Sequence, residues 1–144
     1  MCNPGKQFEQ EVIAAAVLMG HKIIRKPKIG VDGGVDAITE QRNMPFGGGR
    51  FVIQCKDEPT KKIGRPLVDQ LIGNLDREGV QMGIIVTTGT FAKTAVKAAK
   101  DSHRVELING KKWNEIRKTL VSPLELTTAW ARRTRKNNNM FVGG

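Results

Sequence analysis

The sequence predicts an α/β fold on three observations. Apolar side chains recur at helical spacing over residues 6–19, short apolar runs separated by turn-forming residues follow up to residue 56, and helical and strand patterns alternate from residue 64 onward. A helix, a group of strands and then alternating strands and helices describe an α/β sandwich. The chain has 144 residues, of which 39% are hydrophobic and 26% charged, so we expect one globular domain with one core.

The first predicted element is a helix over residues 6–19. Its apolar stripe consists of Phe8, Val12, Ala15 and Met19. Gly20 follows the stripe and can adopt the left-handed conformation that ends a helix. We expect His21 to be a solvent-exposed residue just after the helix, because no second metal-binding side chain stands at ligand spacing nearby.

Three short strands are predicted next. Lys22–Arg25 is the first, and Val35–Glu40 follows the turn-forming segment Asp32-Gly33-Gly34. Phe51–Lys56 comes after a loop that contains Pro45 and three consecutive glycines. We expect the second and third strands to pair.

Strands and helices alternate in the rest of the predicted fold. The elements are a helix opened by Gly64, Arg65 and Pro66, a strand over Met82–Thr88, a helix over Phe91–Lys100, a strand over Val105–Ile108 and a helix over Lys111–Leu120. The uninterrupted run Met82–Thr88 is typical of an interior strand that is covered on both faces. Trp113 lies at a core position of the last helix.

Composition excludes several classes of protein. No apolar run approaches the roughly 20 residues of a membrane span, and no signal peptide is recognisable. Cys2 and Cys55 form neither a disulfide framework nor a metal-ligand cluster, which fits a cytoplasmic protein. The glycine-rich stretches lack the residues of a phosphate-binding P-loop or a dinucleotide fingerprint.

The net charge indicates a polyanionic partner. Lys and Arg number 24 against 14 Asp and Glu, a formal charge of +10, and this excess most often marks a nucleic-acid-binding protein. A basic tail follows residue 131 and includes Arg132 and Arg133. This tail serves either as a nucleic-acid arm or as a solubilising end, and the sequence favours neither.

Four polar residues could form a hydrolytic site. The two-residue period of a strand places Gln54 and Lys56 on one face and Cys55 on the other, and Asp36 lies in the strand expected to pair with theirs. Glu9 lies on the flank of the apolar stripe of the first helix, from where it can point toward the sheet. Carboxylate and amide oxygens suit Mg2+, and a nearby ammonium stabilises charge on a phosphate. Spacing alone favours commonplace roles, namely a turn former, an exposed amide and a solvated strand end.

The same residues carry a family resemblance. Several segments follow one another in the order of the Mrr-like branch of the PD-(D/E)xK nucleases. They are Gly30-Val31-Asp32-Gly33-Gly34-Val35-Asp36, Phe51-Val52-Ile53-Gln54-Cys55-Lys56, Gly64-Arg65-Pro66 with Gln70-Leu71, and Gly83-Ile84-Ile85-Val86-Thr87-Thr88-Gly89-Thr90-Phe91. The similarity extends from Phe8 to about Gly110. The chain therefore resembles the catalytic domain of restriction endonucleases of this branch.

This resemblance implies a restriction-endonuclease-like core, a mixed central β-sheet flanked by helices, that cuts DNA with Mg2+ or Mn2+. Asp36 is then the principal metal ligand, Lys56 the catalytic lysine, and Gln54 the ligand at the place where most of the superfamily has Asp or Glu. Glu9 completes the metal site directly or through water, and the backbone carbonyl of Cys55 is a further ligand. Asp36 and Glu9 together supply two negative charges, which favours one well-occupied metal ion.

The charge pattern and the resemblance together give the expected domain limits and partners. Residues 1–128 form the nuclease catalytic domain and residues 129–144 a basic, flexible tail. The residues expected to contact the DNA backbone are Lys61, Lys62, Arg65, Lys93, Arg132 and Arg133. A homodimer is compatible with the sequence, as is a separate recognition domain or subunit.

Three functions follow as hypotheses. The first is a restriction-type endonuclease that acts on foreign or modified DNA in the cytoplasm. The second is a nuclease of Holliday junctions or other branched DNA. The third, from a different class, is a nucleic-acid-binding module without catalysis.

Overall fold

A computed structural model describes residues 4–25, 37–41 and 49–120 of the chain, and side chains from Lys6 onward. The helices are α1 (Pro4–Leu18), α2 (Arg65–Glu78), α3 (Lys93–Ser102) and α4 (Gly110–Leu120). The strands are β1 (His21–Arg25), β2 (Ala37–Gln41), β3 (Gly49–Lys56), β4 (Lys62–Ile63), β5 (Met82–Thr87), β6 (Thr90–Phe91) and β7 (Val105–Ile108). This order confirms the predicted α/β fold.

The main sheet is mixed, as predicted. Its five described strands lie in the order β1-β2-β3-β5-β7. β2 pairs antiparallel with both β1 and β3, whereas β5 pairs parallel with both β3 and β7. β3 is therefore the strand at which the sheet changes from antiparallel to parallel pairing.

Each face of the sheet is covered by two helices. On one face α2 and α3 pack over β3 and β5 through Val68, Leu71, Leu75 and Ala95, all fully buried. On the opposite face α1 and α4 pack through Phe8, Val12 and Trp113. The Phe8 and Trp113 rings meet edge to face at 5.8 Å, which confirms Trp113 as a core residue.

Local sequence explains where α2 begins and ends. Pro66 lies in its first turn, where its missing N–H breaks no helical hydrogen bond. Gly79 ends the helix in the left-handed region, with φ of 63°, and the Val80 N–H donates to the Leu75 carbonyl at 2.9 Å.

The structure corrects two sequence-based expectations. α3 begins at Lys93 and not at Phe91, because Thr90 and Phe91 form β6, which pairs in parallel with β4. His21 is the first residue of β1, half-buried, and its Nδ1 lies 2.8 Å from the Thr39 hydroxyl. Burial lowers the pKa of His21 below 6.5, because desolvation disfavours the charged imidazolium.

Several predicted features lie outside the described residues. These are Asp36, the start of the strand predicted at Val35, the arginines Arg132 and Arg133, and the tail over 129–144. Within the described ranges, no helix is both long and apolar enough to cross a lipid bilayer.

Candidate active site

The candidate site lies where the parallel strands β3, β5 and β7 end. We call this end of the sheet the carboxyl edge and define it by residues 54–58, 87–90 and 108–110. The helices α2, α3 and α4 each follow one of these strands, so their amino ends lie on this side of the domain. In sheets with parallel strands, ligands commonly bind at this edge.

Gln54 is a polar side chain in the interior of the domain. It pairs with Ile85, and both side chains lie on the face covered by α2 and α3. The Gln54 side chain is only 1% exposed. Its Oε1 and Nε2 have no hydrogen-bond partner among the residues that the structure describes. Leaving a buried amide unpaired costs about 1–3 kcal/mol, so this amide needs an additional partner.

Lys56 lies on the same face, two residues further along β3. It is half-buried and pairs with the fully buried Thr87 of β5. No carboxylate in the described part of the chain forms an ion pair with its ammonium group. The shared face of Gln54 and Lys56 was predicted from the strand period, and the sheet register agrees with that prediction.

Asp36 lies outside the described residues. The following residue, Ala37, pairs with Ile53, so the described part of β2 begins next to the strand position that precedes Gln54. The predicted pairing of these two strands is confirmed, and the position of the Asp36 carboxylate stays a prediction.

Glu9 lies at the same end of the domain but across the sheet from Gln54. It is half-buried on α1, the helix that packs on the opposite face. Phe8 contacts Trp113 in the first turns of α4, which starts just beyond the carboxyl edge. The structure therefore brings Glu9 to this edge and does not bring it onto the face of Gln54 and Lys56.

Cys55 alternates with these residues, as predicted. Its side chain is half-buried and packs against the core beneath α1 and α4. Cys55 therefore fills space on the far side of β3, and of its atoms only the backbone carbonyl is a candidate ligand.

The chain segments after β3, β5 and β7 are locked together by close backbone contacts. A Cβ on Gly89 would lie 2.3 Å from the Lys61 carbonyl oxygen and 2.4 Å from that of Glu58. A Cβ on Gly110 would lie 2.2 Å from the Thr88 carbonyl oxygen. The Gly110 N–H donates to the Gly89 carbonyl at 2.9 Å. Only glycine permits these approaches, so both glycines are needed to assemble the edge.

Two hydrogen bonds connect Thr88 to the end of β3. The Thr88 N–H donates to the Lys56 carbonyl at 3.2 Å, and the Thr88 hydroxyl donates to Asp57 Oδ1 at 3.1 Å. The sequence analysis assigned no functional role to Asp57 or Thr88. Their positions in the sequence could have indicated that both lie beside the site. Asp57 directly follows Lys56, and Thr88 directly precedes a glycine at the end of an apolar strand.

Four of the six predicted DNA contacts lie in the described part of the chain, in and beside β4 and at the starts of α2 and α3. Lys61, Lys62, Arg65 and Lys93 are all exposed. Lys61 lies 3.4 Å from Glu58, and Arg65 lies 3.3 Å from Asp69. Lys62 and Lys93 have no ion-pair partner in the described ranges, so their charges are the more available to an anionic ligand.

Comparison with known proteins identifies the family of this chain. The model of the Mrr catalytic-domain family, described as restriction endonuclease, matches residues 3–116. The chain belongs to this restriction endonuclease family. Its domain is thus a nuclease domain of the restriction-endonuclease type, and the resemblance drawn from the sequence is confirmed.

Solved structures agree on the fold. MspJI restriction endonuclease, in complex with a 27-mer oligonucleotide, is 24% identical with a TM-score of 0.56, and the match covers 75% of this chain and 27% of that one. The DNA modification-dependent restriction endonuclease AspBHI is 18% identical with a TM-score of 0.62, covering 92% and 37%. A protein described as of unknown function, AF1548, is 19% identical with a TM-score of 0.57, covering 74% and 58%. No curated protein matches the sequence.

The match covers only part of each of the two restriction endonucleases. The chain spans between about a quarter and two fifths of the length of MspJI and AspBHI. The part that they share with this chain has the nuclease fold.

Proposed function

We propose that this domain hydrolyses phosphodiester bonds of DNA with a bound divalent metal ion, Mg2+ or Mn2+. One observation carries the proposal. A glutamine amide that is buried and unpartnered among the described residues lies on one face with a half-buried lysine, at the carboxyl edge of a restriction-endonuclease fold. An apolar side chain at position 54 would make the core more stable than a glutamine does. A bound ligand that contacts the amide would explain why a glutamine stands there.

The residues available at this edge suit a hard cation. Mg2+ prefers oxygen ligands and binds through few protein groups. We propose that Gln54 Oε1 and the Asp36 carboxylate hold the ion, with the Cys55 backbone carbonyl as a third ligand. Glu9 lies across the sheet, so we assign it to the outer part of the site, acting through water. These groups supply two negative charges, which match one divalent ion.

The chain's own groups perform the remaining tasks. When bound, the metal ion supplies a water molecule of lowered pKa and neutralises charge on the phosphate. We propose that the Lys56 ammonium stabilises the negative charge that develops on the phosphate oxygens and orients the attacking water. Burial of Gln54 beneath α2 keeps competing solvent from that side of the site.

DNA is the proposed polymer substrate. The exposed cations Lys61, Lys62, Arg65 and Lys93 would contact backbone phosphates near the edge, and the arginines Arg132 and Arg133 would add to them from the C-terminal segment. Such contacts position the duplex without reading its sequence. Target choice would therefore come from elsewhere, from a recognition domain, a partner subunit or a second copy of the chain.

Foreign or modified DNA is the proposed target class. AspBHI is named as modification-dependent, and its nuclease fold is similar to this one. We further propose a cytoplasmic site of action and a catalytic domain over residues 1–128 followed by a basic tail over 129–144.

The test is nicking of supercoiled plasmid. The wild-type protein is compared with Asp36→Ala and Lys56→Ala in Mg2+, in Mn2+ and in EDTA. We expect metal-dependent nicking by the wild type and a loss of at least about a hundredfold in both variants, because each removes a group that acts on the reacting phosphate.

A control variant and two alternative substrates complete the experiment. Lys118→Ala removes an exposed lysine from the far end of α4 and should nick like the wild type. Cleavage restricted to four-way junctions would replace the restriction assignment with a branched-DNA nuclease. Retention of DNA in a gel shift without cutting of plain, methylated or branched DNA in either metal would indicate a binding module and contradict the proposal.

A further inference from the structure

The hydrogen bond between Thr88 and Asp57 lies immediately beyond the candidate catalytic lysine. The Thr88 hydroxyl donates to Asp57 Oδ1 at 3.1 Å, while the Thr88 N–H donates to the Lys56 carbonyl at 3.2 Å. Thr88, the residue after β5, thus binds both the last residue of β3 and the residue that follows it. The parallel ladder itself supplies only the backbone bond.

The surrounding chain leaves Thr88 little freedom to move. Its carbonyl oxygen faces Gly110 so closely that a Cβ there would lie 2.2 Å away. The next residue, Gly89, donates its N–H to the buried Thr87 hydroxyl at 3.0 Å and is enclosed by the carbonyls of Lys61 and Glu58. Thr88 is therefore a fixed support against which the end of β3 is held.

Immediately after Lys56 the chain leaves the sheet. β3 finishes at Lys56, and residues 57–61 form a connection that is not part of the sheet. A lysine at a strand end carries a long flexible side chain, and its ammonium is displaced whenever the backbone at its root shifts. A displacement of about 1 Å at a catalytic group can cost up to a hundredfold in rate.

We propose that Thr88 and Asp57 are positioning residues that hold Lys56 in its reactive place through their side-chain hydrogen bond. This inference rests on the proposed function, because it assigns the bond a purpose in DNA hydrolysis. In this proposal neither residue touches the reacting phosphate, and both act through Lys56. Asp57 acts here as a hydrogen-bond acceptor at the root of the lysine.

The central test is Thr88→Val, which keeps the shape of the side chain and the backbone bond to Lys56 but removes the hydroxyl donor. We expect kcat for plasmid nicking to fall about tenfold to a hundredfold, while KM and the gel-shift affinity for DNA stay unchanged. Thr88→Ser and Asp57→Asn each retain a donor or an acceptor and should restore most of the rate. Thr119→Val is the matched control, because it removes a hydroxyl that donates to the Glu115 carbonyl within α4.

A second readout does not depend on cutting. An amine-reactive ester modifies lysines at rates that depend on their surroundings. Mass spectrometry gives the modification rate of Lys56 and that of the exposed Lys62 in the same sample. The ratio of the two rates reports the surroundings of Lys56. We expect this ratio to change in Thr88→Val and to stay at the wild-type value in Thr88→Ser and Thr119→Val. A purely structural role would lower the melting temperature without altering the ratio below the transition.

The outcomes separate this inference from the proposed function. Unchanged kcat and unchanged Lys56 reactivity in a folded Thr88→Val protein would overturn the positioning role even if the wild type nicks DNA. Absence of nicking by the wild type would count against the proposed function, and the reactivity ratio would still decide whether Thr88 positions Lys56. If Thr88→Val does not fold, Asp57→Ala is judged by the same two measurements.

Discussion

At the scale of single residues, Gln54 occupies a position whose neighbours are apolar. Val52 and Ile85 on the same face are fully buried, as is Gln54 itself. Its identity and direction followed from the sequence, because a two-residue period fixes the face of every residue in a strand. Its burial did not, since a glutamine in a strand is more often exposed, and only the helices packed above it reveal that it is enclosed.

This burial predicts opposite effects of one substitution on stability and activity. Gln54→Met replaces the amide with an unbranched apolar side chain of similar length, so no polar group is left unpaired. We expect the free energy of unfolding to rise by about 1–2 kcal/mol in urea titration without metal. Metal-dependent nicking should be lost in the same protein.

Gln70→Met is the matched control for this substitution. Gln70 is exposed on α2, so its replacement should alter stability by less than about 0.5 kcal/mol. A Gln54→Met protein that is less stable than the wild type would show that the buried amide already has a good partner without metal.

At the scale of elements, α2 and β5 approach each other closely because of Gly83. A Cβ at this position would lie 2.8 Å from Leu71 Cδ2 and 3.1 Å from Leu71 Cγ. Leu71 is fully buried and cannot move into solvent. We therefore expect Gly83→Ala to destabilise the protein by about 1–3 kcal/mol, measured by thermal or urea unfolding.

A second glycine provides a control, because its replacement by alanine should change the stability in the opposite direction. Gly73 lies within α2, is exposed, and has no atom within 4 Å of the place its Cβ would take. Gly73→Ala should stabilise the protein by about 0.5–1 kcal/mol, since glycine costs helix entropy. Equal effects of the two substitutions would contradict the close packing of α2 on β5.

The four helices and the strands of the main sheet could be predicted because each has its own periodicity in the sequence. The pair β4 and β6 could not, since each has two residues and exists only through its partner. For the same reason the sequence extended the third helix back to Phe91. Tertiary pairing also gave His21 a hydrogen bond to Thr39, a residue far away in the sequence.

At the scale of the whole molecule, charge determines which partners approach and how strongly. The chain has a formal charge of +10, and exposed cations in β4 and at the starts of α2 and α3 lie near the carboxyl edge. The sequence predicted this excess of positive charge, but it could not show which cations are already paired with carboxylates. The structure ranks them, because Lys61 and Arg65 have carboxylates within 4 Å whereas Lys62 and Lys93 have none in the described ranges.

This ranking predicts the salt dependence of DNA binding. Each lysine that contacts a phosphate contributes about 0.9 to the slope of log K against log salt. The double variant Lys62→Ala/Lys93→Ala should therefore reduce the slope by roughly 2, measured by fluorescence anisotropy over a salt series.

A double variant of equal charge isolates the contribution of position. Lys22 and Lys100 are exposed at the opposite end of the sheet, at the start of β1 and the end of α3. Lys22→Ala/Lys100→Ala should leave the slope unchanged. A similar loss in both double variants would mean that net charge alone attracts the DNA.

The parallel pairing of β3 with β5 also determines when the carboxyl edge can first form during synthesis. Gln54 and Lys56 leave the ribosome well before Ile85 and Thr87, the residues they pair with. Gly110, which closes against Thr88, leaves later still. The carboxyl edge, which needs β5 beside β3 and Gly110 against Thr88, can therefore be complete only after translation has passed Gly110.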